Sequence, residues 1–166
     1  MNLFDNSYRK IKAGRLVSFS YSPGYSDMEG AFHRDTLEKN GEGNWVVVCR
    51  ERGSIDEPEC VTTCSVSDAD ALRFEQFIKK RRILSLSKRL KSPVFLTDYS
   101  PWSAEMVFDC PGSVGNRRIT VRLEQYRIYT RPDLKRIDEM TDMFYDLLGD
   151  VISVDDGYED FYGDDE

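Results

Sequence analysis

Polar and apolar side chains alternate from residue 15 to residue 21. Val17, Phe19 and Tyr21 take one side of an extended chain, and Ser18 and Ser20 take the other. A period of two predicts a strand with one buried face. Related segments follow at AFHRDTLEK (31–39), NWVVVCRE (44–51) and CVTTCSV (60–66). Turn-rich stretches separate them: SPGYSDMEG (22–30), NGEG (40–43) and RGSIDEPE (52–59). Asn and Gly tolerate positive φ, so NGEG predicts a hairpin. The 44–51 segment is the most apolar of the four and is expected near the centre of a sheet.

The period changes at Ser67. Ala71, Phe74, Phe77, Ile78 and the stem of Arg81 recur at spacings of three and four, which predicts a helix with one buried stripe. Ser67-Asp-Ala-Asp70 reads as a capping box, with Asp70 returning to the Ser67 backbone. The helix is expected to end between Arg82 and Ser87. Before the first strand, Phe4, Tyr8 and Ile11 lie at helical spacing in an arm or short helix over 1–13.

A shorter second run repeats this order. VFLTDY (94–99), SAEMVFDC (103–110) and RRITVRLEQY (117–126) read as strands, with PGSVGN (111–116) as a turn. Pro132 suits the first turn of a final helix, Leu134, Ile137, Thr141, Phe144 and Leu148 form its inner stripe, and Gly149 closes it. The expected fold is α+β: a mainly antiparallel sheet of seven strands in the order ββββα-βββα, with two helices on one face. Residues 1–149 form one domain on this reading, with 14–90 and 91–149 as similar halves, and 150–166 form an acidic-aromatic C-terminal tail.

Composition sharpens the picture at that tail. Eight of the thirty acidic residues lie in 150–166, which has no Lys or Arg; the preceding 149 residues carry 23 basic and 22 acidic groups. The net charge of −7 is therefore a terminal property. Tyr158, Phe161 and Tyr162 interleave with the acids, a pattern suited to docking on a basic, partly apolar surface, in the same chain or another. The complementary anomaly is Lys79, Lys80, Arg81, Arg82, Lys88, Arg89 and Lys91, with no acid among them. Such a patch could contact phosphates, with the tail as its gate. No apolar signal core and no apolar run long enough to span a bilayer is present, so the expected location is cytoplasmic, with no membrane partner. The four cysteines then read as reduced thiols.

Candidate chemistry is sparse. The one histidine, His33, would need a distant nucleophile such as Cys49 or Cys110 to act as a base; an ordinary, partly buried imidazole is the simpler reading. Cys60 and Cys64 share a face of a predicted strand but stand about 13 Å apart, too far for one zinc ion. Glu105 and Asp109 share a face, with Asp98 nearby in sequence, yet no feature marks a cleft or shifted pKa. The tail is out of register for a calcium loop, and no phosphate-binding glycine loop is present, so no cofactor or metal is expected. Two loops, 20–30 and 97–105, each combine Tyr, Ser-Pro, a second aromatic residue and an acid. Tyr21, Tyr25, Tyr99 and Trp102 are rigid amphipathic groups of the kind interfaces use.

These features favour a non-catalytic interaction or accessory protein that binds a protein partner or itself through aromatic loops and the acidic tail. An inhibitor or immunity-type role fits by analogy. The alternative is a nucleic-acid or polyanion binder using residues 79–91; the third reading is an enzyme with a nonstandard carboxylate or thiol site.

Overall fold

A computed structural model of the chain describes residues 9–26, 30–93, 99–112 and 114–157. Within these, residues 9–13 are helical (α1). The strands are β1 (Arg15–Ser22), β2 (Tyr25–Ser26), β3 (Phe32–Lys39), β4 (Trp45–Arg52), β5 (Cys60–Ser65), β6 (Tyr99–Ser100), β7 (Ser103–Gly112), β8 (Gly115–Glu124) and β9 (Val151–Asp155). Two longer helices are α2 (Asp68–Lys80) and α3 (Arg131–Tyr145), and a 3-10 helix spans Ile83–Lys88.

Seven strands form one antiparallel sheet in the order β8-β7-β1-β3-β4-β5-β9. This is the expected α+β architecture, with α2 and α3 covering one face. β7 pairs with β1, so the second run of strands extends the sheet on the far side of the first strand. The β3–β4 hairpin turns where NGEG predicts it. The Asn40 side chain accepts hydrogen bonds from the Glu42 and Asn44 amides, both at 3.0 Å, and Gly43 adopts φ +85°.

Alternation divides the sheet, except that a bulge in β1 between Leu16 and Ser18 turns Leu16 inward in place of the expected Val17, and Val46 is buried on the face opposite Val47. Phe19, Leu37, Val47, Met106, Phe108 and Leu123 face the helices and are buried. Phe19 meets Phe74 of α2 edge-on, with centroids 4.9 Å apart, and Phe144 of α3 at 4.7 Å. These rings close the core between the sheet and both helices.

Both helix starts were legible, and each is capped differently. Ser67 accepts from the Asp70 amide and donates to the Asp70 carboxylate, so Asp70 returns to the hydroxyl rather than to the backbone. Thr130 and Asp133 make the full reciprocal box at α3, with Pro in its first turn. The α3 stripe is rotated from the expected one. Asp133, Ile137, Met140, Phe144 and Leu147 are buried, whereas Leu134 and Leu148 are exposed. The cap places Asp133 at the third helical position, where Arg89 holds it inward; the buried seam runs from there. Gly149 does not close α3, which ends at Tyr145 with Asp146 as its C-cap. Instead Gly149 lies so close to β5 that an added Cβ would stand 2.7 Å from the Ser65 carbonyl oxygen. The strand expected at 94–99 is described only at Tyr99, the start of β6, and Phe4 and Tyr8 lie outside the described residues.

The acid-rich C-terminal segment begins as sheet. β9 pairs antiparallel with β5, setting Val154 opposite Thr62 and Asp155 opposite Val61.

Candidate functional site

The face of the sheet away from the helices is mixed, with Val46, Val48 and Val107 on it, but at its β1–β3–β7–β8 end alternation brings polar side chains together. Ser20 and Ser22 of β1, Arg34 of β3, Ser103 and Glu105 of β7 and Arg122 of β8 line a cleft of about 430 Å³ on this face. Ser20 and Thr36 share a hydroxyl hydrogen bond of 3.1 Å, Ser22 donates to the His33 carbonyl at 2.7 Å, and Arg122 pairs with Glu105.

The two aromatic loops meet at the rim of this cleft. β2 follows Ser22 by three residues, and β6 ends three residues before Ser103. They pair antiparallel, Tyr25 with Ser100 and Ser26 with Tyr99. Trp102 stacks on Tyr129, with centroids 5.9 Å apart and planes 24° apart, while its amide donates to the Gln125 side chain. Tyr21 lies on the helix face, its ring edge-on to Tyr145 at 6.2 Å. Tyr158, Phe161 and Tyr162 lie outside the described residues.

A second polar cluster lies beneath α3. Asp35 is wholly buried. His33 Nε2 approaches its two oxygens at 2.9 and 2.8 Å, and the Tyr145 hydroxyl donates to Oδ2 at 2.8 Å. Cys49, directly across on β4, donates its thiol to the same carboxylate. Burial first, and then this hydrogen bond and the Asp35 charge, push the Cys49 thiol up to about 12. Tyr145 is raised for the same reasons in the same order. Burial also raises Tyr21, against the opposing hydrogen bond with Thr141.

The chemical consequence is restraint. A nucleophilic thiol must ionise near neutral pH, and Cys49 stays protonated. A catalytic imidazole needs a nitrogen turned toward a nucleophile, but Nε2 meets Asp35 and Nδ1 lies 3.7 Å from Glu51. The cluster is a buried anion satisfied by surrounding donors. Its signal was present in the chain, because residues 33 and 35 of a strand share a face, but the sequence does not reveal that the pair is covered by α3.

The basic segment is largely consumed by the fold. Lys79 pairs with Glu75 at 2.7 Å and stands 5.8 Å from the Phe108 ring centre. Arg81 pairs with Glu139, Arg89 with Asp133 at 2.7 Å, and Lys91 with Glu124 at 3.3 Å. Lys80, Arg82 and Lys88 are exposed. The Arg89 hydrogen bond, against the opposing effect of burial, holds Asp133 well below the usual carboxylate range. Burial tends to raise Glu75, yet Lys79, the Leu16 amide and Arg15 together draw it downward.

Glu105 and Asp109 share the open face, but each pairs with an arginine of β8, Arg122 and Arg118; Asp98 lies outside the described residues. Such pairing provides no close carboxylate dyad. Cys60 and Cys64 are separate free thiols on one face of β5. Among the described residues, no group of three or more His, Cys, Asp or Glu side chains could hold a metal ion, and no helix is long and apolar enough to cross a membrane.

No protein-family model, curated protein or solved structure matches the chain.

Proposed function

We propose that this chain is a cytoplasmic, non-catalytic interaction or accessory protein that recognises a protein partner through the open-face cleft and the loop pair at its rim. The observation that carries the reading is the β2–β6 ladder, which joins two distant loops beside a cleft holding serine hydroxyls, Arg34, Glu105 and Arg122. Paired hydroxyls and mixed charges suit the backbone and polar side chains of a protein segment better than a purely anionic ligand. Loops held by a rigid sheet are the usual carriers of recognition. The protonated Cys49 and the doubly engaged His33 favour binding over nucleophilic catalysis.

The test is site-specific photocrosslinking in an extract of the source cells, with the probe at Ser103 in the cleft or at Glu42 in the β3–β4 turn. The expected result is a discrete protein adduct from Ser103 alone, lost when Arg34→Glu is introduced without a change in thermal unfolding. Equal adducts from both positions, or none from Ser103, would refute the cleft as the recognition surface. The polyanion alternative is weakened by the carboxylate partners of Lys79, Arg81, Arg89 and Lys91.

A further inference from the structure

We propose that the outer edge of β9 accepts an extended, basic segment of a partner protein, which joins the sheet as an additional strand. This surface is separate from the cleft, because β9 ends the sheet at the side opposite β8.

The edge has the required backbone. β9 is the terminal strand, so one row of its N–H and C=O groups faces away from β5. It also carries apolar side chains with little cover: Val151, Ile152 and Val154 are 58%, 58% and 63% exposed. Strand addition supplies hydrogen bonds to such an edge and covers its side chains together.

The charge around the edge specifies the occupant. Asp150, Asp155 and Asp156 bracket the apolar row. Asp138 and Asp142 of α3 and Asp146, its C-cap, are exposed and precede β9 in the chain, with Asp146 five residues before its first residue. Arg136 is the last cation in the chain. The cations that reach α3 go to Asp133 and Glu139, and no ion pair among the described residues engages Asp138, Asp142, Asp146, Asp150 or Asp155. An edge within this field attracts lysine and arginine.

Other occupants fit less well. Residues 158–166 add Glu159, Asp160, Asp164, Asp165 and Glu166, which the same field repels. A second β9 would bring another set of acids against the first. The β8 edge of a second copy carries Arg117 and Arg118, but successive antiparallel pairings leave β8 and β9 running in the same direction. With the helices kept on one side, that contact is restricted to a parallel ladder, the weaker kind. A basic partner strand carries no such restriction.

The test uses a short synthetic peptide alternating Lys and Val, the matching Glu–Val peptide, and a Lys–Val peptide N-methylated at alternate amides. Binding to the full chain is read by fluorescence anisotropy, and amide hydrogen exchange locates it. The expected result is Lys–Val binding at least about tenfold tighter than Glu–Val at low salt. It should weaken as salt rises, fail on N-methylation and protect the amides of 151–155. Absence of Lys–Val binding overturns the proposal, as does binding that survives N-methylation or leaves 151–155 unprotected. Self-association of the free protein that already protects 151–155 also overturns it, by assigning the edge to a second copy.

Discussion

The basic segment 79–91 and the acid-rich region from Asp138 to Asp156 are opposite charge runs with opposite fates. In the first, Lys79, Arg81, Arg89 and Lys91 each meet a carboxylate, three of them on a different element of the fold. In the second, Asp138, Asp142, Asp146, Asp150 and Asp155 have no ion-pair partner among the described residues. Along the chain, residues 79–91 and the acids from Asp150 onward look like interaction patches. The difference teaches that a run of charge marks a free surface only where the fold supplies no counter-charge. Much of the positive run secures α2, α3 and the 3-10 helix to one another, while Asp150 and Asp155 flank a sheet edge and take part in no ion pair among the described residues.

The largest effect should come from breaking the neutralised side. Asp133→Ala removes the partner of Arg89 and Arg136 together with half of the α3 capping box. The expected loss is about 2–3 kcal/mol of unfolding free energy in urea titration. If Asp133→Ala and an exposed Lys80→Ala cost the same, the proposed contrast between built-in and free charges fails.

The same carboxylate carries a pH signature. Asp133 is depressed in the folded chain, so it contributes stability above the unfolded value of about 3.9 and loses that contribution as pH falls through the folded value. Wild-type stability should therefore decline more steeply than that of Asp133→Asn as pH drops below about 4. Parallel urea titrations across that range measure the difference; identical slopes would show that the folded carboxyl is not depressed.

Asp35 is an intermediate case, a buried acid answered by His33, Tyr145 and Cys49. Asp35→Leu leaves buried donors without their acceptor and should cost about 2 kcal/mol in thermal or urea unfolding. A neutral outcome would mean that the donors find new partners. The free acids should behave differently. Combined Asp138→Asn, Asp142→Asn and Asp146→Asn should change stability by less than about 0.5 kcal/mol. The triple substitution should also reduce the salt sensitivity of Tm, and a large loss would reveal a structural role for the stripe.

The smallest effect is kinetic. With its thiol held near pKa 12, Cys49 should react very slowly with iodoacetamide at neutral pH, and the rate should rise only in strong alkali. Mass-spectrometric labelling over time measures this. Rapid neutral labelling would place Cys49 among ionisable, reactive groups rather than among the donors to Asp35.

The parts of the fold that could be read from the chain depend on near neighbours. Alternation in 15–21 placed Phe19 inside and Ser20 outside, although a bulge displaces Val17 from the Phe19 face; the Asn40 turn was visible as a hairpin, and the helix starts were marked by the Ser67 cap and by Pro132. The misplaced features depend on distant groups. Gly149 resembled a helix stop, yet its small size serves close contact with Ser65. Leu134 resembled a core residue until Arg89 drew Asp133 inward and rotated α3. The candidate cleft was half legible: the two aromatic loops stood out, but their β2–β6 pairing and the serine-lined floor arise from strands far apart in the chain.

The sequence by itself determined most of the antiparallel strands, the starts of the two longer helices and most of the inward-facing positions, because periodicity, capping and proline act over a few adjacent residues. Tertiary structure alone decided which charges are neutralised, that Asp35 is buried beneath Tyr145, and that residues 151–155 form an edge strand beside β5. Those outcomes depend on residues separated by most of the chain, and only the folded arrangement supplies the partners and excludes the water that decide them.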